Sequence, residues 1–151
     1  MKRQDKYPET SAFTFYNANP KNRMGSDCVI RAICTALDQS WEQTLRELTE
    51  VGIKHGYTAT SKETYKKYLA EKGFGMHKQP RKWDNTKYTG YEWCHWLCSK
   101  EDDPRYSGCK AIIAHIGGHH IVCIKPIHGV FKVHDTWDST DGCIGNYWVI
   151  K

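Results

Sequence analysis

The chain has 151 residues, 39% of them hydrophobic and 13% aromatic, which supplies one compact domain with a core and excludes a disordered binding tail. Its 22 Lys and Arg against 17 Asp and Glu give a formal charge of +5, too mild to mark a nucleic-acid binder by composition alone. No run approaches the roughly 20 apolar residues of a membrane span. The polar opening Met1-Lys2-Arg3-Gln4-Asp5-Lys6 lacks an apolar signal core, so the expectation is a cytoplasmic protein with no membrane partner.

Residues 1–25 hold Pro8, Pro20 and Gly25 around one aromatic patch, Phe13 to Tyr16, and read as a lead-in with little regular structure. Ser26 and Asp27 are placed to cap a helix in which Val29, Ile30, Ile33, Ala36 and Leu37 recur at helical spacing until Asp38. Cys28 falls in its first turn. Ser40-Trp41-Glu42-Gln43 has the form of a capping box and opens a second helix, burying Leu45 and Leu48 and fading near Gly52. Thr60-Ser61-Lys62-Glu63 repeats the device for a third, which buries Tyr65, Tyr68 and Leu69 and stops at Gly73. Thr89-Gly90-Tyr91-Glu92 caps a fourth, short helix bearing Trp93, Trp96 and Leu97.

Beyond Cys109 the pattern changes to short apolar runs, 111–114, 120–124, 130–133 and 147–150, separated by Gly, Pro and Asp. They read as strands of one antiparallel sheet. The whole is an α+β domain: a mainly helical half, 26–100, packed on a mainly β half, 109–151. The seven cysteines are odd in number and scattered, and are read as free thiols.

A cysteine in the first turn of a helix meets unpaired backbone N–H groups and the positive end of the helix dipole, both of which favour its thiolate. Nucleophilic catalysis further needs a base, a group to orient it and donors for an oxyanion. His120 opens one predicted strand and Asp135 closes the next, so antiparallel pairing brings them side by side, with the carboxylate selecting the imidazole tautomer. Asn22, six residues before Cys28, is the candidate side-chain donor to an oxyanion alongside the Cys28 backbone N–H.

These residues resemble the papain-like cysteine peptidases, in which an amide residue lies six before the nucleophile, the nucleophile heads a helix, and His and then Asn or Asp follow on a C-terminal sheet. His120-Ile121-Val122 is similar to the family's His, small or apolar residue, Val. Asp135-Thr136-Trp137 is similar to its Asn-Ser-Trp, whose Trp shields the bond between the third residue and the His. Asp27-Cys28-Val29-Ile30-Arg31-Ala32 with Asp135-Thr136-Trp137-Asp138 resembles small papain-fold proteins of bacteriophages and their hosts. The likeness covers residues 22–38 and 110–138. It implies a papain-like fold, a cysteine hydrolase cutting peptide or isopeptide bonds with a Cys28, His120, Asp135 triad, and a protein or peptide substrate, a host protein if the chain is phage-encoded. Acyl transfer of the transglutaminase or amidase kind uses the same three groups. The Cys-Gly-Ser-Cys-Trp signature of papain is absent, and Asn and Asp replace the family's Gln and Asn.

His119 is the rival base and Asp138 the rival orienting residue; adjacent strand residues face opposite sides, and the motif favours His120 and Asp135. Asp27 beside Cys28 opposes a thiolate unless its charge is spent on capping. Cys94 and Cys98 share one helix face, with Cys109 and His115 following, but no second pair has zinc-site spacing; they are assigned to packing, and no metal or cofactor is expected. Residues 62–87 carry eight Lys or Arg against Glu63, Glu71 and Asp84, interleaved with Tyr65, Tyr68 and Trp83. That window is either a solvated face or a contact for nucleic acid or an acidic protein. It leaves open a second class of function, a catalytically silent binding protein on the same fold.

Overall fold

The computed structural model describes residues 1–151 and is a mixed α+β domain. Its elements in chain order are α1 (Arg3–Lys6), β1 (Phe13–Phe15), α2 (Cys28–Leu37), α3 (Trp41–His55), α4 (Lys62–Glu71), α5 (Gly90–Leu97), β2 (Ala111–Ile116), β3 (His120–Ile127), β4 (Val130–Asp135) and β5 (Ile144–Ile150). The strands form one sheet in the order β1-β4-β3-β2-β5. None of the helices is long and apolar enough to cross a membrane.

The helix ends follow local chemistry. Asp38 closes α2 in the left-handed region at φ 53°. Ser40 caps α3 by accepting the Gln43 N–H, and Thr89 with Glu92 completes a reciprocal capping box on α5. Two ends differ from expectation. Gly52 lies inside α3, where a Cβ would meet the Tyr57 carbonyl oxygen at 2.5 Å; the stop comes at Gly56, which takes φ +83°. Ser61, not Thr60, caps α4, since its side chain accepts the Thr64 N–H.

Two features of the expected architecture need correction. The sheet is not wholly antiparallel, because Phe13–Phe15 of the lead-in adds an edge strand that pairs parallel with β4, Phe15 opposite Asp135. The helices also do not form one layer. Alternate residues of β2 and β3 point to opposite faces. Ala111, Ile113, Ile121 and Cys123 pack with α2, α3 and α4, whereas Ile112, Ala114, Ile116, Val122 and Ile124 pack with Trp93 and Leu97 of α5 and with Phe13. A sheet covered on both sides explains why β2 reads as a continuous apolar run. α2 lies against β3, and this contact carries its N-terminal turn to the beginning of that strand.

Candidate active site

Cys28 is the first residue of α2 and is partly buried. Burial pushes its thiol pKa up, but hydrogen bonding and charge from His120 outweigh it, helped by the Ile121 backbone N–H and by the charge of Arg31, and the net shift is downward. His120 Nε2 lies 2.6 Å from Asp135 Oδ2 and, facing a carboxylate, donates in that bond. Nδ1 is thereby left as the ring nitrogen available to Cys28. Burial pulls the imidazole pKa down, and the bonds to Asp135 and Cys28 more than reverse it, raising it to about 9. Each group therefore favours the charged form of the other: the imidazole draws the thiol pKa down, and the thiol helps hold the imidazole pKa up.

Asp135 is fixed from three sides. Its Oδ1 accepts Arg31 Nη1 at 2.6 Å and the Thr136 N–H at 2.7 Å, while Oδ2 takes His120. Arg31 is 8% exposed and also donates through Nε to Asp27 Oδ1 at 2.8 Å. Asn19 and Trp41 donate to Asp27 Oδ2 at 2.9 and 3.0 Å. Burial raises the Asp27 pKa, yet these donors together hold it below the ordinary value, so it stays ionised. Asp27 therefore does not cap α2 with its side chain. Its charge is met by Arg31, whose guanidinium also acts on Cys28 in the thiolate's favour. Arg31, Asn19 and Trp41 were not singled out by the sequence. The available signal was Asp27 to Arg31 at i, i+4 on one helix face.

Trp137 covers the imidazole, with ring centroids 4.9 Å apart and planes tilted by 38°. The rivals lie elsewhere: His119 is exposed in the β2–β3 turn, and the Asp138 carboxylate accepts from the Thr140 N–H and hydroxyl. Asn22 is exposed, with φ +54°, and its side-chain amide makes no hydrogen bond within the chain. It lines a cavity of about 250 Å³ with Arg3, Phe15 and Met24, which Cys28, His120 and Asp135 do not line. Three of the four candidate residues are thus brought together.

Near Cys28 stands a second hydrogen-bonded pair, Tyr65 Oη and His115 Nε2 at 2.6 Å. Burial, then the charge of Cys28, pushes Tyr65 up to about 12; burial, then Lys62, pulls His115 down to about 4. Both are neutral near pH 7. Cys94 is fully buried and Cys98 exposed, and all seven cysteines are free thiols. No three His, Cys, Asp or Glu side chains converge in a way that suits a metal ion. The chain matches no known family model, no curated protein and no solved structure.

Proposed function

We propose that the protein is a papain-like thiol hydrolase acting on peptide or isopeptide bonds, with Cys28 as nucleophile, His120 as base and acid, and Asp135 as the group that orients His120. The observation that carries this reading is the imidazole held between thiol and carboxylate, its Nε2 bonded to Asp135 and its other nitrogen left to Cys28. In the proposed reaction the Cys28 thiolate attacks the carbonyl carbon, and the C–N bond breaks as His120 gives its proton to the leaving amine. His120 then takes a proton from water, which attacks the thioester and frees Cys28. The Cys28 backbone N–H at the helix N-terminus is the proposed oxyanion donor; Asn22, which lines a separate cavity, is not part of the proposed site. Trp137 over His120 supports the reading by excluding water from the His120–Asp135 bond. The resemblance to small bacteriophage papain-fold proteins makes a host protein the proposed substrate.

The test is site-resolved alkylation by iodoacetamide between pH 6 and 9, read by mass spectrometry in the native protein and in His120→Ala, His119→Ala and Asp135→Asn variants. Cys28 is expected to react fastest well below the free thiol pKa of about 8.5, and to lose that advantage in His120→Ala but not in His119→Ala. If Cys28 reacts no faster than the exposed Cys98 and Cys143 at any pH, the activated-nucleophile reading fails.

A further inference from the structure

A cleft of about 320 Å³ opens beside the candidate site, and Lys62 from the first turn of α4, Lys87, His115 and Asn146 line it. No acidic residue lines it, and neither lysine is ion-paired within the chain. Elsewhere in the same basic segment Lys72 is matched to Glu47 and Lys82 to Glu92, whereas both lysines of the cleft are left without an acid. Its floor is kept open by glycine. Gly118 takes φ +94°, and a Cβ on Gly145 would come within 3.1 Å of the His115 Cβ.

The cleft shares a wall with the nucleophile. His115 is the cross-strand partner of Ile121, whose backbone N–H acts on the Cys28 thiol in the direction that favours its thiolate. Such partners stand about 5 Å apart at Cβ. The His115 ring is bonded to Tyr65, whose phenol feels the charge of Cys28. Since His115 is neutral, the positive charge of the cleft belongs to the two lysines.

The rim is part of the same arrangement. Lys87 closes a tight turn in which Arg81 pairs with Lys87, the Lys82 N–H bonds the Thr86 carbonyl and Asn85 takes φ +70°. That turn lifts Trp83 into solvent, 98% exposed. The turn that bears this bare indole also supplies Lys87 to the cleft, so one element carries both apolar surface and charge. This combination suits a polypeptide side by side with its own acidic group, whereas two lysines are too few to track a nucleic-acid backbone.

We propose that this cleft is a subsite for an acidic side chain of the polypeptide whose bond Cys28 attacks, with Lys62 and Lys87 holding the carboxylate and Trp83 contacting the neighbouring residue. The inference rests on the hydrolase reading for its connection to catalysis. Its binding step is measurable without turnover.

The probes are acetylated alanine hexapeptides, amidated at the C-terminus, with one Glu or one Gln moved through the six positions. Binding is read from NMR shifts of His115 and Asn146 in the full chain, and competition from the slowing of Cys28 alkylation. At one position Glu is expected to bind about tenfold more tightly than Gln, a preference that weakens with added salt and is abolished in Lys62→Glu/Lys87→Glu. Lys54→Glu on the exposed side of α3 is the control and keeps the preference. Equal binding of Glu and Gln at every position, or a preference that survives the double variant, overturns the subsite. So does a hexathymidylate that shifts the same resonances and displaces the Glu peptide. A His120-dependent Cys28 with no Glu preference removes the subsite and leaves the hydrolase. Shifts at His115 by the Glu peptide with an unreactive Cys28 do the reverse.

Discussion

Two charged regions of this domain are treated in opposite ways. At the corner of α2, β3 and β4, Asp27, Arg31, Asp135 and His120 are largely withdrawn from solvent, and their charges face one another in a chain of bonds between 2.6 and 2.8 Å. From 62 to 87 most of the charge is left in water, and two of the eight basic side chains find an acid. Buried charge is tolerated only when each group is paired, and pairing of that kind fixes geometry. Solvated charge contributes little to stability and remains free to meet a partner. The first region positions; the second is available for recognition.

The contrast predicts a graded series of effects. Arg31→Met leaves Asp27 and Asp135 buried without their shared cation and should cost about 3–5 kcal/mol in urea unfolding at pH 7. A loss below about 1 kcal/mol would mean that the corner is far better hydrated than its burial indicates. Asp135→Asn removes the carboxylate from His120, and turnover on any substrate should fall by roughly 10²–10⁴-fold. The imidazole pKa, followed by proton NMR, should drop from about 9 in the same variant.

His120 also makes stability depend on pH in a defined direction. Its folded pKa is raised from 6.5 to about 9, so the folded state holds the proton more tightly than the unfolded chain. The stabilisation is complete below about 6.5 and is lost as pH rises through about 9. Urea midpoints at pH 6.5 and 9.5 should therefore diverge more in the native protein than in His120→Gln, and equal divergence would break the link between this histidine and the buried network. The smallest effects belong to the solvated region. Lys67→Glu and Lys78→Glu should each change stability by no more than about 0.5 kcal/mol.

What the sequence made legible divides by range. Helix ends written in a few adjacent residues, Ser40 with Gln43 and Thr89 with Glu92, were readable because the cap and the group it satisfies lie three positions apart. The juxtaposition of His120 and Asp135 followed from a single hairpin. The parallel pairing of Phe13–Phe15 with β4 was not readable, because three residues carry too little pattern and their partner lies far along the chain. Arg31 was half visible: its bond to Asp27 is a helical spacing, whereas its bond to Asp135 spans 104 positions. The Tyr65–His115 pair joins a helix to a strand with no periodic signature. Trp83 was readable as part of the basic window, but not its almost complete exposure, since its residue type favours burial.

The attachment of Asp135 has a consequence for the life history of the chain. Its carboxylate is gripped by residue 31 and its backbone carbonyl by the N–H of Tyr16, so the groups that orient His120 come from both ends of the polypeptide. A ribosome releases Cys28 early, His120 92 positions later and Asp135 107 positions later. Until β3 and β4 have docked against α2, Cys28 has no imidazole beside it, and Arg31, one helical turn away, is the one partner already near it in sequence. Contacts of such separation also form late and slowly. On the proposed reading, completion of the fold thus delays the reactivity of Cys28 until His120 and Asp135 are in place.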